Sequence, residues 1–315
     1  MGKKVTVFGS FVVDLMGRCP HLPAPGETVK GSVFQMGPGG KGFNQGVAAH
    51  KAGADVTMVT KLGSDAFAEV ALSTMKHLGM NEERIFHTDE TETGSALILV
   101  DENTGQNQIV VVLGACGKIT DHEVESLADL LDESKFLLTQ LETNVSAVEK
   151  IVDMAYERGV NIILNTAPVQ PVSDFVLSRV DLITPNEVEA EILTGTKVHD
   201  VESASTAADY FFEKGVKNVL ITMGGSGVFL ATPHKRGFLP AYKVMALDTT
   251  GAGDAFNGGL TAALSEGKDL WEASQFANAL AAISVQRLGT TLSMPKREEV
   301  DAFMKERGRG EWILC

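Results

Sequence analysis

The chain has 315 residues and a formal net charge of −14, from 27 Lys and Arg against 41 Asp and Glu. That length allows one large α/β domain or two small ones, with a substantial core in either case. An acidic chain without a basic stripe is a poor candidate for binding nucleic acid or an anionic membrane. The few, widely spaced cysteines (Cys19, Cys116 and Cys315) argue against a disulfide framework or a zinc site, and so indicate a reducing, cytoplasmic compartment.

The first part of the chain predicts short strands separated by proline- and glycine-rich turns. Residues 5–10 are the expected first strand. This apolar stretch is too short to be a secretion signal. No stretch is long and apolar enough to cross a membrane. The next apolar run, residues 11–16, contains Asp14, which either faces solvent at a strand edge or binds a polar ligand. Residues 27–36 are expected to be extended.

A glycine-rich turn follows at residues 37–46, with five glycines and then a predicted helix start. Glycine lets the backbone approach a ligand closely. Lys41 and Asn44 lie in the same turn, although the GxxxxGK[ST] spacing of a Walker loop is absent. A tight packing turn is the alternative, but the two polar side chains favour ligand contact.

The rest of the chain alternates between predicted strands and helices, after a hairpin at residues 93–100 and 108–113. Such alternation predicts a mostly parallel sheet with helices on both faces. Residues 307–315 are expected to form a loose tail. The predicted helices are at 65–78, 121–131, 145–158, 186–193, 201–213, 255–264, 271–285 and 296–306, and the later strands at 135–141, 160–165, 180–184, 216–223 and 242–247.

Polar residues follow five of these predicted strands. In open sheets of this kind, ligands bind beyond the carboxyl ends of the strands. Each polar group alone could be a cap or a turn, but five together predict a shared cleft. Asn186 and Glu189 are three apart on a predicted helix, so they share a face and could orient Mg²⁺-bound waters or phosphate. The polar groups are Glu142 and residues 165–168, 185–189, 222–227 and 248–254.

The last of these groups is a glycine turn between a predicted strand and a predicted helix. Such a turn gathers free backbone N–H groups and the positive end of the helix dipole, which favour a phosphate-like anion. Asp254 could accept a proton from an attacking hydroxyl. The alternative is that Asp254 only caps the helix.

From about residue 5 to residue 303, the chain resembles the ribokinase-like (PfkB-type) carbohydrate kinase family. The resemblance rests on residues 39–44 and 248–258, and residues 184–189 also fit. It implies one α/β domain over residues 1–308, with a small β-sheet lid over the sugar, and a tail at 309–315. The lid would comprise about residues 11–35 and 93–113. Lids of this family often clasp in pairs, so a homodimer is expected.

The resemblance also implies the reaction, which is transfer of the ATP γ-phosphate to the hydroxymethyl (5-OH) of a pentose such as D-ribose. Asp254 takes the position of the base, and the backbone N–H groups of Gly251, Ala252 and Gly253 form part of an anion hole. The implied sugar contacts are Val12, Asp14, Gly40, Lys41, Asn44 and Glu142. The implied ATP contacts are Asn186, Thr222, Gly224, Gly227 and Asn278. Glu189 is implied for Mg²⁺ through water, and K⁺ is implied at Asp248, Thr250, Ser284, Arg287, Gly289 and Ser293.

Val12 departs from the family pattern, which usually has Asn two residues before the sugar-binding Asp. An apolar side chain cannot pair with a sugar hydroxyl, at a cost of about 1–3 kcal/mol. The substrate is then either D-ribose despite the substitution, or 2-deoxyribose, another small sugar or a nucleoside. A Rossmann dehydrogenase is excluded because no GxGxxG follows the first strand. A non-catalytic sugar-binding protein would be expected to have lost Asp254 or the glycine turn.

Overall fold

A computed structural model describes residues 4–315; residues 1–3, which the predicted domain includes, lie outside this range. The strands are β1 (Lys4–Phe8), β2 (Val12–Cys19), β3 (Val33–Gly39), β4 (Asp55–Gly63), β5 (Ile85–Thr88), β6 (Thr93–Asp101), β7 (Asn107–Gly114), β8 (Phe136–Thr139), β9 (Asn161–Leu164), β10 (Leu182–Ile183), β11 (Asn218–Thr222), β12 (Gly227–Ala231), β13 (Arg236–Pro240) and β14 (Ile313–Leu314). The helices are α1 (Lys41–Lys51), α2 (Ala66–Leu78), α3 (Asp121–Glu125), α4 (Ala128–Glu133), α5 (Val145–Glu157), α6 (Asp174–Leu177), α7 (Glu187–Thr194), α8 (Val201–Glu213), α9 (Ala252–Ser265), α10 (Leu270–Ser284) and α11 (Arg297–Arg307).

The larger sheet within residues 4–315 has ten strands in the order β14-β13-β12-β11-β10-β9-β8-β1-β4-β5. All neighbours from β11 to β5 run parallel, and β12, β13 and β14 extend the sheet as antiparallel strands. The prediction of a mostly parallel sheet is therefore confirmed.

The sheet separates two hydrophobic cores, because successive side chains of a strand point to opposite faces. On β9, Ile163 packs into one core, while Ile162 and Leu164 pack into the other. Helices α1, α2, α9, α10 and α11 cover the first core, and α3 to α8 cover the second. Helices on both faces were predicted and are present.

A separate four-stranded sheet, the lid, has the order β3-β2-β6-β7. Its β6–β7 pair is the predicted hairpin, and β2 lies parallel to β6 with Asp14 opposite Ala96. The lid runs to Gly39, four residues beyond its predicted boundary. Asp14 shares one face with Met16 and Ile98, and the opposite face, here called the outer lid face, carries Phe34 and Val110.

Three local predictions are wrong. Residues 242–247 are exposed or half-buried and join no strand of the described chain, because they cross the surface instead of entering the sheet. Residues 121–131 form two helices, α3 and α4, and not one. The expected loose tail instead docks on the sheet: β14 pairs with β13, and the Trp312 ring packs edge-on against Trp271 with 4.5 Å between centroids.

No helix within residues 4–315 combines the length and the apolar character needed to cross a bilayer.

Candidate active site

The first helix begins where the lid meets the large sheet. Gly40 precedes α1 with φ of 90°, a conformation that other residues rarely adopt, and a Cβ there would lie 2.8 Å from the backbone nitrogen of Val12. Lys41 is the first residue of α1, so Lys41 and Asn44 occupy its first turn. The predicted glycine turn therefore places both polar side chains beside the lid.

A second helix start lies opposite, at α9. Gly251 is its N-cap in the left-handed conformation, with φ of 75°, and the helix begins at Ala252, three residues earlier than predicted. Within residues 4–315 no side chain caps this first turn. The N–H of Ala252 donates to the carbonyl of Thr249 at 3.2 Å, and the N–H groups of Gly253 and Asp254 are left available to an anion. Asp254 lies inside this turn and does not cap it, so the helix-cap alternative is wrong.

The carboxylate of Asp254 is buried and held by two amides. Asn44 Nδ2 donates to Oδ2 at 3.1 Å, and Gln45 Nε2 donates to Oδ1 at 2.9 Å. Burial raises the pKa of Asp254, while the charge of Lys41 and these two hydrogen bonds oppose the rise. Burial would lower the pKa of Lys41, but the surrounding carboxylates, with Asp254 and Glu142 foremost, raise it overall. The site therefore holds a charged lysine near a buried carboxylate.

Glu142 lies just beyond β8 and connects two elements of the site. Its Oε2 accepts a hydrogen bond from Ser10 Oγ at 2.5 Å and another from the backbone nitrogen of Lys41 at 2.8 Å. Glu142 is buried, and Ser10 is fully buried. Ser10 was not predicted as a site residue; its position at the end of the predicted first strand was the only available signal.

Asp14 of the lid is hydrogen-bonded to the loop before α11. Thr290 Oγ1 donates to Asp14 Oδ2 at 3.2 Å, and Thr291 Oγ1 donates to Asn44 Oδ1 at 2.6 Å. Burial raises the pKa of Asp14 to about 6, although the bond from Thr290 lowers it. Neither threonine was predicted, because no local pattern links residue 290 to residue 14.

A cavity of about 410 Å³ lies between the lid and this loop. Asp14, Met16 and Ile98 line it from the lid, and Thr250 and Thr290 line it from the other side. Val12 lies two residues before Asp14 on β2 and therefore on the same face, where it is almost fully buried. The cavity is large enough for a small polar molecule next to Asp14.

The predicted ATP contacts lie in part around the start of α7. Asn186 is the N-cap of that helix and not part of it, and its side chain and Glu189 bond reciprocally as a capping box. Thr222 pairs with Asn186 in an isolated parallel bridge, and Gly224 and Gly227 follow with positive φ. Asn278, the other predicted ATP contact, is bonded to a different segment: its side-chain nitrogen donates to the carbonyl of Pro240 at 3.0 Å.

Hydrogen bonds connect three of the residues predicted for K⁺. Asp248 Oδ1 accepts from the backbone nitrogen of Thr250 at 2.9 Å, and Oδ2 accepts from that of Gly289 at 3.0 Å. The hydroxyls of Ser284 and Ser293 bond to backbone carbonyls of their own turns. The Arg287 guanidinium pairs with Glu299, so at that position only the backbone carbonyl is available.

A doubly covered parallel sheet, a lid, a buried carboxylate and an uncapped helix start define an enzyme class: kinases that phosphorylate an alcohol group of a small substrate. Residues 2–297 match the description pfkB family carbohydrate kinase. The chain belongs to that family and is a sugar kinase, as its sequence predicted.

Relatives match over nearly the whole length of the chain. A ribokinase of Haemophilus influenzae is 41% identical, over 97% of this chain and 99% of its own. A deoxyribokinase of Salmonella typhi is 33% identical, over 95% of this chain and 98% of its own. The structure of Arabidopsis thaliana ribokinase complexed with ribose and ATP has a TM-score of 0.89 and 29% identity, covering 97% of this chain and 99% of that one.

Proposed function

We propose that this sugar kinase transfers the γ-phosphate of ATP to the 5-hydroxyl of a pentose, with Asp254 as the base. The observation that carries the proposal is the position of Asp254, a buried carboxylate in the uncapped first turn of α9, between Asn44 and Gln45. The ribokinase whose structure was determined in complex with ribose and ATP supports this choice of substrates.

In this mechanism the sugar lies in the cavity under the lid. Asp14 and Lys41 hold its hydroxyls and orient the 5-hydroxyl toward Asp254, which accepts its proton as the oxygen attacks. The backbone N–H groups at the start of α9 stabilise the charge on the transferring phosphoryl group. Closure of the lid keeps water from competing for that group.

The residues around α7 fit a magnesium–phosphate complex held through water. Both carboxylate oxygens of Glu189 already accept hydrogen bonds, from Asn186 Nδ2 at 2.8 Å and from Thr166 Oγ1 at 3.0 Å. Mg²⁺ usually keeps several waters, so an outer-sphere role suits a carboxylate whose orientation is fixed. When bound, the ion neutralises phosphate charge, and Asn186, Thr222, Gly224 and Gly227 would lie along the nucleotide.

A monovalent cation fits beside the anion hole, at the loops that Asp248 joins. K⁺ takes oxygen ligands, and the backbone carbonyls of the two loops are the candidate ligands. We propose K⁺ at this position, with Asp248, Thr250 and Gly289 nearest and Ser284, Arg287 and Ser293 contributing backbone carbonyls.

We also propose that the enzyme is a homodimer joined through its outer lid faces. Phe34 is 69% exposed and Val110 is 59% exposed, and Leu97 and Val112 add to the same face. A contiguous apolar sheet face of this kind marks a protein contact, and a second lid is apolar in the same places.

The proposed compartment is the cytoplasm. All three cysteines are unpaired thiols, which fits a reducing cytoplasm.

The choice between D-ribose and 2-deoxyribose depends on Val12. Its side chain shares a face with Asp14 but offers no hydrogen bond, so it favours a sugar that lacks one hydroxyl. The 33% identity to a deoxyribokinase supports 2-deoxyribose, and the 41% identity to a ribokinase supports D-ribose.

A screen for ADP release, with pentoses, deoxypentoses, hexoses and nucleosides as acceptors, tests the proposal. At least one pentose should be phosphorylated, and Asp254→Asn should lower kcat by several orders of magnitude while the melting temperature and ATP binding remain. Near-normal turnover by Asp254→Asn would remove the proposed base. Activity on hexoses or nucleosides alone would remove the proposed substrate.

A further inference from the structure

Gln45 follows Asn44 on α1 and is fully buried, away from the cavity. Its Nε2 donates to Asp254 Oδ1 at 2.9 Å and to Asn165 Oδ1 at 3.0 Å. Its Oε1 accepts from Gln140 Nε2 at 2.7 Å. A side-chain amide has two N–H donors, so both donors of Gln45 are in use.

A backbone carbonyl determines which end of each side-chain amide donates and which accepts. Asn165 Nδ2 donates to the carbonyl of Thr184 at 2.9 Å. A carbonyl only accepts, so the other end of this amide, Asn165 Oδ1, must face Gln45. Gln45 must therefore turn its NH₂ group toward Asn165, and the same group meets Asp254. A flipped Gln45 would place its carbonyl oxygen against two other oxygens.

The two helices that carry the pair touch through their backbones. A Cβ on Gly258 of α9 would lie 2.5 Å from the backbone oxygen of Gln45. This approach leaves no room for a side chain between α1 and α9. It keeps the Gln45 amide within reach of Asp254.

We propose that Gln45 is a positioning residue for the base, because one of its N–H groups holds Oδ1 of Asp254. The Thr184 carbonyl determines the orientation of the Asn165 amide, which in turn determines the orientation of the Gln45 amide. The inference rests on the proposed role of Asp254. Asn44 holds the other oxygen, but the family resemblance also implies a sugar contact for Asn44. Gln45 has no exposed surface and acts on the reaction only through Asp254.

Several charged groups act on the same carboxylate. The charges of Lys41 of α1, Glu142 after β8 and Asp14 of the lid act on Asp254, and the charge of Glu189 of α7 acts on Lys41. Burial raises the pKa of Asp254, and Lys41 and then Gln45 lower it. Removal of the Gln45 donor therefore shifts the carboxylate toward its protonated form, which cannot accept a proton.

The test is Gln45→Met, which keeps the length of the side chain and removes its polar atoms. At saturating substrates and at a pH on the acidic limb of the wild-type profile, kcat should fall about tenfold, with the KM for ATP unchanged. The acidic limb of the kcat profile should move up by about one pH unit, since one unit of pKa corresponds to a tenfold change. Raising the pH should restore most of the lost kcat. Thr261→Val is the matched control, because Thr261 is a buried hydroxyl of α9 bonded only to the backbone of its own helix, at Asn257.

A Gln45→Met profile that coincides with the wild-type profile would overturn the inference, whatever happens to stability. If that variant does not fold, Gln45→Asn keeps an amide that is one methylene too short and is expected to give the same shift. Activity in Asp254→Asn would instead show that the proposed base is wrong. The two failures are therefore distinguishable.

Discussion

Thr290 lies in the loop beside the start of α9 and joins this loop to the lid by donating a hydrogen bond from Oγ1 to Asp14 Oδ2 at 3.2 Å. The same hydroxyl lies 3.4 Å from the carbonyl of Pro38 at the root of the lid. One oxygen of Asp14 therefore already has a protein donor. A sugar bound at Asp14, as proposed, must share this carboxylate with Thr290 or displace Thr290.

We expect this contact to be visible in the pH dependence of sugar capture. Asp14 has a pKa of about 6, so kcat/KM for the sugar should fall as the pH drops below about 6 and the carboxylate becomes protonated. Thr290→Val removes a hydrogen bond that lowers this pKa, so the acidic limb of the kcat/KM profile should move to higher pH. The measurement is kcat/KM between pH 5 and pH 9. Asp14→Asn is the control, because its profile should lack this limb; a limb that survives in Asp14→Asn would assign it to another group.

Val12→Asn should shift the sugar preference toward D-ribose. The new amide lies on the same face as Asp14 and can pair with a hydroxyl that Val12 leaves unpaired. A hydrogen bond of about 1 kcal/mol corresponds to a several-fold change in the ratio of kcat/KM for D-ribose to that for 2-deoxyribose. Val12→Ala, which changes the size of the side chain without adding a polar atom, tests whether size alone matters. An unchanged ratio in Val12→Asn would exclude Val12 from sugar selection.

Asp248→Ala should reduce or abolish activation by monovalent cations. The carboxylate accepts from Thr250 and Gly289, so its loss releases both loops that flank the proposed cation position. Turnover should be measured in KCl, NaCl and choline chloride at constant ionic strength. Asp301→Ala is a suitable control, because Asp301 is exposed and pairs only with Arg297 on its own helix. Equal turnover of the wild-type enzyme in all three salts would contradict a cation site.

Phe34→Glu should convert the proposed dimer to a monomer. It places a charge on the outer lid face, on the edge strand β3, where a second lid would have to bury it. Sedimentation velocity at micromolar concentration measures the result. Ser73→Glu adds the same charge at an exposed position of α2 and should leave the dimer intact. A wild-type protein that sediments as a monomer over this range would remove the proposal.

The sequence was sufficient to predict the large sheet, because buried parallel strands and amphipathic helices alternate with clear periods. It was insufficient for residues 242–247, whose composition suits a strand. Whether such a segment pairs depends on a neighbouring strand with free hydrogen-bonding groups, and this segment runs outside the sheet. The docking of Trp312 on Trp271 is a long-range contact of the same kind.

The candidate site was predictable where motif residues lie close in sequence and not where distant segments meet. Lys41, Asn44 and Asp254 belong to glycine-rich turns that are apparent without a structure. Gln45 carries no separate signal, because its partners Asn165 and Gln140 lie 120 and 95 residues away. Thr290 meets Asp14 across 276 residues of sequence.

The contacts of Asp254 also have a consequence for the synthesis of the protein. Asn44 precedes Asp254 by 210 residues, and Gln45 precedes it by 209. A nascent chain can complete the lid and most of the parallel sheet while α9 is still inside the ribosome. Such a chain lacks both the proposed base and the proposed phosphate site, so we expect premature termination before α9 to yield a product that does not consume ATP.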